Sequence, residues 1–181
     1  SASFNSVVIN EDFSVENWKQ SVLLDYGKLA FPPKLYELQP KLVNRQKAEY
    51  RQDLNNLRNQ LSVFDQQVEQ KQQDLIEIKA RVDNLRQSYK FARQELDITK
   101  PLADEGVVPR IELLKLQRQV NDTRRELTSS ELKIPLLRSA IKEAMLSRID
   151  AALSFRSEQQ EKLNQAQDKL SAMTESSFSF L

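Results

Sequence analysis

Acid–base chemistry in this 181-residue chain would depend on carboxylates, lysine, arginine and tyrosine, because the sequence contains no cysteine and no histidine. Thiolate nucleophiles, Cys/His zinc sites and the usual general base near neutral pH are therefore excluded. Paired carboxylates could act as acid and base, but that chemistry needs a concave, water-poor pocket. Acids and bases instead recur four residues apart, as in Glu77 to Arg81 and Glu158 to Lys162, a spacing typical of exposed helices. We expect no enzymatic activity, no cofactor and no metal site.

The composition favours long helices, since the chain has only two glycines, 29% charged residues and 7% aromatic residues. The net charge is +1 with acids and bases interspersed, so we expect no nucleic-acid partner. No apolar run approaches the roughly 18 residues of a membrane span, and no signal peptide is recognisable. The start at Ser1 without methionine suggests an excised piece, so a membrane anchor could lie outside it.

Apolar residues recur at alternating spacings of three and four over two long stretches, which is the pattern of a coiled-coil seam. The first stretch comprises Leu54, Leu57, Leu61, Phe64, Val68, Leu75, Ile78, Val82, Leu85, Tyr89, Ala92 and Leu96. The second comprises Leu113, Leu116, Val120, Leu127, Ile134, Leu137, Ile141 and Ala144. Lys71 interrupts the first stretch, while Thr123 and Ser130 occupy two seam positions of the second.

The two stretches fit each other if the chain reverses at Gly106, because facing residue numbers then total about 212 and each a position meets a d position. Leu85 then faces Leu127, and Lys71 faces Ile141. Pro40 and Pro109 suit the first position of a helix, and Gly106 suits the left-handed residue after one. The sequence therefore predicts an all-α fold, a long antiparallel coiled-coil hairpin with helices over about 40–104 and 109–173.

The N-terminal residues 1–33 form a separate segment in this interpretation. A strand-like or irregular stretch over 4–9 precedes a short helix that Ser14 caps, that carries Trp18 and Val22, and that ends at Gly27. Residues 31–33, Phe-Pro-Pro, form a rigid connector to the hairpin, which occupies 34–175, and residues 176–181 form a frayed tail.

The seam changes register near Arg148, which we expect to stack on the Phe64 ring. We predict that the short N-terminal helix covers this base as a third element. The shifted apolar set comprises Ile149, Ala152, Leu163, Ala166, Leu170 and Met173.

The predicted tip carries two valines where a tight turn normally favours Asn, Asp, Ser or Gly. Exposed apolar residues at such a place indicate docking to a partner. Val107 could instead fold onto Ile111, and Leu102 could cap the inner seam as well as contact a partner. The candidate partner-binding residues are Lys100, Leu102, Glu105, Gly106, Val107, Val108, Pro109 and Arg110.

Residues 98–122 resemble the hairpin tip of periplasmic adaptors, or membrane fusion proteins, of type I secretion systems, the haemolysin secretion protein D (HlyD) family. The family's pattern is Pro-Leu, three residues, Gly, a hydrophobic pair, Ser, Arg, then Glu-Leu-Leu and a following Arg and Val. The resemblance extends over about 31–173, through the Phe-Pro-Pro connector and Leu42-Val43. The residues that match at the tip are Pro101, Leu102, Gly106, Val108, Arg110, Glu112, Leu113, Leu114, Arg118 and Val120.

This resemblance implies a structural protein in the periplasm, anchored to the inner membrane in the full-length protein. The tip would dock onto a TolC-like outer-membrane duct, and parts outside this piece would contact an inner-membrane ABC transporter that exports unfolded proteins. Adaptors of this kind form rings, commonly hexamers, whereas the isolated piece could be a monomer.

Two alternatives stay open. A cytosolic coiled-coil scaffold or tether would need the same heptads but no valines at its tip. A drug-efflux adaptor hairpin would carry an arginine and a Ser or Thr where this chain has Ile98 and Pro109. Lys100 or Arg110 could substitute for those polar contacts.

Overall fold

The computed structural model describes residues 6–27 and 29–179. Two short strands, β1 (Val7–Ile9) and β2 (Val22–Leu24), are followed by a short helix α1 (Pro33–Leu38) and two long helices, α2 (Pro40–Asp104) and α3 (Arg110–Ser179). A 3-10 turn, Trp18–Ser21, leads directly into β2. The two long helices pack as an antiparallel hairpin, which confirms the predicted fold class.

Three of the four ends of the long helices lie at, or within one residue of, the positions predicted from the sequence. Helix α2 begins at Pro40 and ends at Asp104, as predicted. Helix α3 begins at Arg110 rather than Pro109, because Pro109 caps it: its carbonyl accepts the N–H of Glu112 at 3.0 Å. The other end differs more, since α3 continues past 173 to Ser179. The predicted frayed tail is therefore helical over 176–179, and residues 180 and 181 lie outside the described residues.

The predicted seam is the interior of the helical pair. Every seam residue of both stretches is buried or half-buried, including Thr123 and Ser130. Lys71 is half-buried at its seam position. Asp53 of α2 accepts a hydrogen bond at 2.9 Å from Gln159, the residue that the predicted register places opposite it. The heptad pattern therefore predicted both the buried faces and their pairing.

The short helix predicted from Ser14 to Gly27 is confirmed only over Trp18–Ser21, which form a 3-10 helix. Val22–Leu24 instead forms a strand that pairs antiparallel with Val7–Ile9, so that Val8 lies opposite Leu23. Side chains of β2 alternate from buried to exposed to half-buried, as expected of a strand with one covered face. Ser14 does not cap a helix, because its N–H and hydroxyl both donate to the Asn17 side chain. Residues 4 and 5 of the predicted strand-like stretch lie outside the described residues.

The chain forms two compact units, one made of Ser1–Gln67 with Glu143–Leu181 and the other of Val68–Lys142. In the first unit the strand pair packs on both long helices, so a third element covers the base of the hairpin as predicted, although it is not a helix. The core of the first unit comprises Val7, Val22, Tyr50, Leu54, Leu57, Leu61, Ile149, Ala152 and Phe155.

The prediction that Ala166 belongs to the covered apolar set is wrong, since Ala166 is exposed. The side chains of Leu170 and Met173 lie outside the described residues.

Candidate partner-binding tip

The turn at the tip closes α2 by a Schellman arrangement, in which the second and third residues after the helix bond back to its last turn. The Gly106 N–H donates to the Ala103 carbonyl at 3.1 Å, and the Val107 N–H donates to the Leu102 carbonyl at 2.9 Å. Gly106 has φ of +78°, the left-handed conformation that this motif requires and that glycine adopts without penalty. The predicted role of Gly106 is therefore confirmed, and the backbone holds Val107 at a defined place.

The apolar residues of the tip remain largely in solvent. Val107 is 69% exposed and Leu102 is 37% exposed, whereas Val108 is half-buried. Val107 is thus not folded away onto Ile111, which is itself exposed. Exposed side chains of this size at the end of a hairpin form a surface that a partner could cover.

The polar candidates of the tip are exposed as well. Lys100, Glu105 and Arg110 are all exposed, as is Pro109. Within residues 6–27 and 29–179, neither Lys100 nor Arg110 forms an ion pair. Glu105 lies just past the C-terminus of α2, where a negative charge opposes the helix dipole. The eight predicted residues therefore share one exposed end of the second unit.

Three further apolar residues near the turn are exposed although they were not among the predicted partner contacts: Ile98, Ile111 and Leu114. All three stand outside the heptad seam, and that mismatch was the available signal. The exposed apolar surface at the tip is therefore larger than the predicted residues alone would form.

A second polar cluster lies at the base, in the first unit, around Arg148. This side chain is buried; its Nε donates to Asp65 Oδ1 at 2.8 Å and its terminal nitrogen to Ser21 Oγ at 3.1 Å. The aromatic ring beneath the guanidinium is that of Trp18, at 5.6 Å from its centroid, rather than the predicted Phe64. The cluster joins the 3-10 turn to both long helices, so its role is structural.

Two other groups at the base are also accounted for by packing. Burial raises the pKa of the Tyr50 phenol. The Tyr50 ring packs against Phe155 at a centroid distance of 5.9 Å. Asp53 also accepts from Lys162 Nζ at 3.1 Å. These contacts fix the two helices and the strand pair together.

Neither metal coordination nor membrane insertion is indicated in the described ranges. No group of three or more potential metal ligands occurs among these residues. No helix within them is long and apolar enough to cross a bilayer.

A comparison with protein families agrees with this geometry. The family described as AprE, long alpha-helical hairpin, matches residues 24–177. The match therefore includes α1, both long helices almost to the end of α3, and the whole tip. A search of curated proteins finds no match. Because the family match covers most of the chain and names the same architecture, the chain belongs to the AprE long alpha-helical hairpin family.

Proposed function

We propose that the chain is the helical hairpin of a periplasmic adaptor of a type I secretion system, of the HlyD kind. The AprE hairpin family is type I secretion adaptor-like, and it implies a structural role in the periplasm. The finer proposal is that the tip docks onto a TolC-like outer-membrane duct. Parts of the adaptor beyond this chain then anchor it to the inner membrane and contact an ABC transporter that exports unfolded proteins.

The observation that carries this proposal is the exposed apolar tip on a rigid turn. Val107 and Leu102 are presented by backbone hydrogen bonds rather than by a flexible loop. A preformed surface loses little conformational entropy when a partner covers it. Burying one Val or Leu side chain contributes about 1.5 to 3 kcal/mol when burial is complete. A few such residues, repeated around a ring of adaptors, would give strong docking by avidity.

The same tip favours a type I adaptor over a drug-efflux adaptor. Ile98 is exposed and apolar where an efflux adaptor presents arginine, and Pro109 provides no hydroxyl and no N–H. Contacts at this tip would therefore be mainly apolar, with Lys100 and Arg110 at the rim. A coiled-coil scaffold would gain nothing from exposed valine at its turn.

The test measures how strongly the full chain binds a purified TolC-type duct. The chain is attached to a surface at high density, so that neighbouring copies supply the avidity that a ring would give. We expect the Val107→Asp and Leu102→Asp variants to bind at least tenfold more weakly than the unsubstituted chain, because each buries a charge in an apolar contact. Val63→Asp is the matched control, since Val63 is an exposed apolar residue of α2 in the other unit.

Circular dichroism would establish that all four chains are equally helical. Equal binding by the unsubstituted chain and both tip variants would contradict tip docking. The same conclusion would follow if Val63→Asp lost as much binding as the tip variants, or if the dense surface captured no duct.

A further inference from the structure

The exposed apolar side chains of the second unit are concentrated near the tip and continue from it along both long helices. On α2, Ile98 is 68% exposed and Phe91 is 62% exposed. On α3, Ile111 is 62% exposed and Leu114 is 58% exposed. Single exposed apolar residues are common on protein surfaces, but several of them near one end of a unit mark a contact surface. A contact made by the turn alone would leave these four side chains in water.

The four residues form two stripes that face away from each other. Phe91 and Ile98 are seven residues apart, so they share one face of α2, which lies roughly opposite the seam at about 100° per residue. Ile111 and Leu114 are three residues apart and lie on the corresponding outer face of α3. Because the two helices pack together along the seam, the stripe on α2 and the stripe on α3 point to opposite sides of the pair. The heptad register places Ile98 level with Leu114, so both sides are apolar at the same distance from the turn.

This apolar surface has a lower limit on each helix. Phe91 lies roughly 20 Å from the end of α2, at about 1.5 Å per residue. The next exposed large apolar residue on α2 is Ile76, roughly 22 Å farther from the tip, and on α3 it is Leu132, roughly 27 Å beyond Leu114. The exposed side chains between these positions are mainly polar. The apolar surface is therefore confined to the part of the unit nearest the turn.

We infer that the tip enters a slot in its partner, with an apolar wall against each stripe, to about the depth of Phe91. A flat partner pressed against the end would cover Val107 and leave Phe91 and Leu114 in water. Aromatic side chains often carry a large share of the binding energy when a pocket covers them. Exposed Lys90 and Glu95 beside the stripe on α2 have opposite charges. Apolar burial rather than net charge therefore drives this contact.

The occupant is the duct of the proposed function, so this inference rests on that function and adds how deeply, and on which faces, the duct contacts the chain. Ile98 lies four residues before Leu102, and Ile111 lies four residues after Val107. Each stripe therefore joins the exposed surface of the turn within about one helical turn. Because the surface is continuous, the partner that covers the turn also covers both stripes.

The first test repeats the duct-binding measurement with a charge placed in each stripe. Phe91→Asp and Leu114→Asp should each bind the purified TolC-type duct at least tenfold more weakly than the unsubstituted chain, because each brings an ion against an apolar wall. Ile76→Asp is the matched control, since Ile76 is 61% exposed on the same helix but lies below the slot, and its binding should stay within about twofold. Circular dichroism would establish that all chains are equally helical. Unchanged binding by Phe91→Asp, or an equal loss from Ile76→Asp, would overturn the inference.

A second test measures the depth directly and leaves every apolar residue in place. The sequence contains no cysteine, so one substitution at an exposed polar position gives each chain a single thiol. Gln94→Cys lies within the stripe on α2, and Arg118→Cys lies one turn from Leu114 at the same height on α3. Glu105→Cys reports on the turn. Gln73→Cys is the control, because Gln73 is exposed on the same face of α2 as Gln94 but three heptads farther from the tip.

Saturating duct should slow maleimide labelling by about fivefold or more at Gln94→Cys, Arg118→Cys and Glu105→Cys, because a covered thiol is inaccessible to the reagent. Labelling of Gln73→Cys should stay within about twofold of its rate without duct. Protection of Glu105→Cys alone, or of only one of the two stripes, would overturn the slot and leave docking by the tip intact. Protection at none of these positions would contradict both the slot and tip docking.

Discussion

Arg148 shows how a single residue can join the parts of the first unit. Its guanidinium is a cation, and burial of a charge requires partners around it. Asp65 neutralises the charge, Ser21 accepts a further hydrogen bond, and the Trp18 ring covers one face. Removing the side chain would leave Asp65 without its cation and a void beside Trp18.

Substituting Arg148→Ala is therefore expected to destabilise the chain. Breaking a buried ion pair costs about 3 to 5 kcal/mol, and partial exposure of the Asp65 carboxylate reduces this to roughly 2 to 3 kcal/mol. Urea unfolding followed by circular dichroism would measure the change. Trp18 is the single tryptophan of the sequence and is buried, so its fluorescence should also shift to the red as water reaches the ring.

Arg156→Ala is the control for this experiment, because Arg156 is an exposed arginine of the same helix. Its free energy of unfolding should stay within about 0.5 kcal/mol of the unsubstituted value. A loss of the same size from both substitutions would argue against a special role for the buried cluster.

The long helices and their turn were predictable at the scale of elements. Heptad spacing indicated which faces are buried, and Pro40, Gly106 and Pro109 marked the ends within one residue. These signals are local in the sequence. The strand pair was not predictable, since the spacing of Trp18 and Val22 suits a helix. Strands of only three residues are stable only when they pair with each other, as these two do. Helix α1 was likewise missed, because two adjacent prolines suggested only a connector.

The turn itself can be tested by substituting Gly106→Ala. A Cβ at this position would meet no atom within 4 Å, so the cost comes from the backbone conformation alone. Holding an L-residue at positive φ costs about 1 to 2 kcal/mol. We expect a loss of about 1 kcal/mol in the free energy of unfolding, measured by thermal or urea denaturation, because the end of the hairpin can adjust in part.

Gly27→Ala provides the comparison, since Gly27 does not have a positive φ and its added Cβ would make an ordinary contact with Asp25 at 3.4 Å. Its effect should lie within about 0.5 kcal/mol. If both alanine variants were equally stable, the conformation of Gly106 would not be the reason for glycine at the tip.

The two compact units of the molecule differ in how completely they bury their apolar residues. In the first unit a third element covers the helical pair, and Leu54, Leu57 and Leu61 are nearly inaccessible to water. In the second unit two helices share a seam alone, so Ile78 and Leu127 stay half-buried. A seam residue covered from one side gains only part of the free energy of full burial.

Hydrogen exchange should therefore differ between the two units. Amides near Leu57 and Ala152 are expected to exchange more slowly, by about tenfold or more, than amides near Leu85 and Leu127, because local opening there exposes more apolar surface. Mass spectrometry of peptic fragments would measure the rates. Peptic fragments of α3 that lie beyond residue 163 and contain no seam residue serve as the fast-exchanging reference. Slower exchange around Leu85 than around Leu57 would contradict this account.

The sequence by itself determined the two long helices, their antiparallel pairing and the position of the tip. The heptad spacing, the prolines and Gly106 each influence only the few residues around them. Their structural effect therefore does not depend on distant parts of the chain. Tertiary structure alone decided that Val7–Ile9 pairs with Val22–Leu24 and that Ser21 and Trp18 enclose Arg148. These outcomes depend on contacts between residues far apart in the sequence, and no local pattern encodes them.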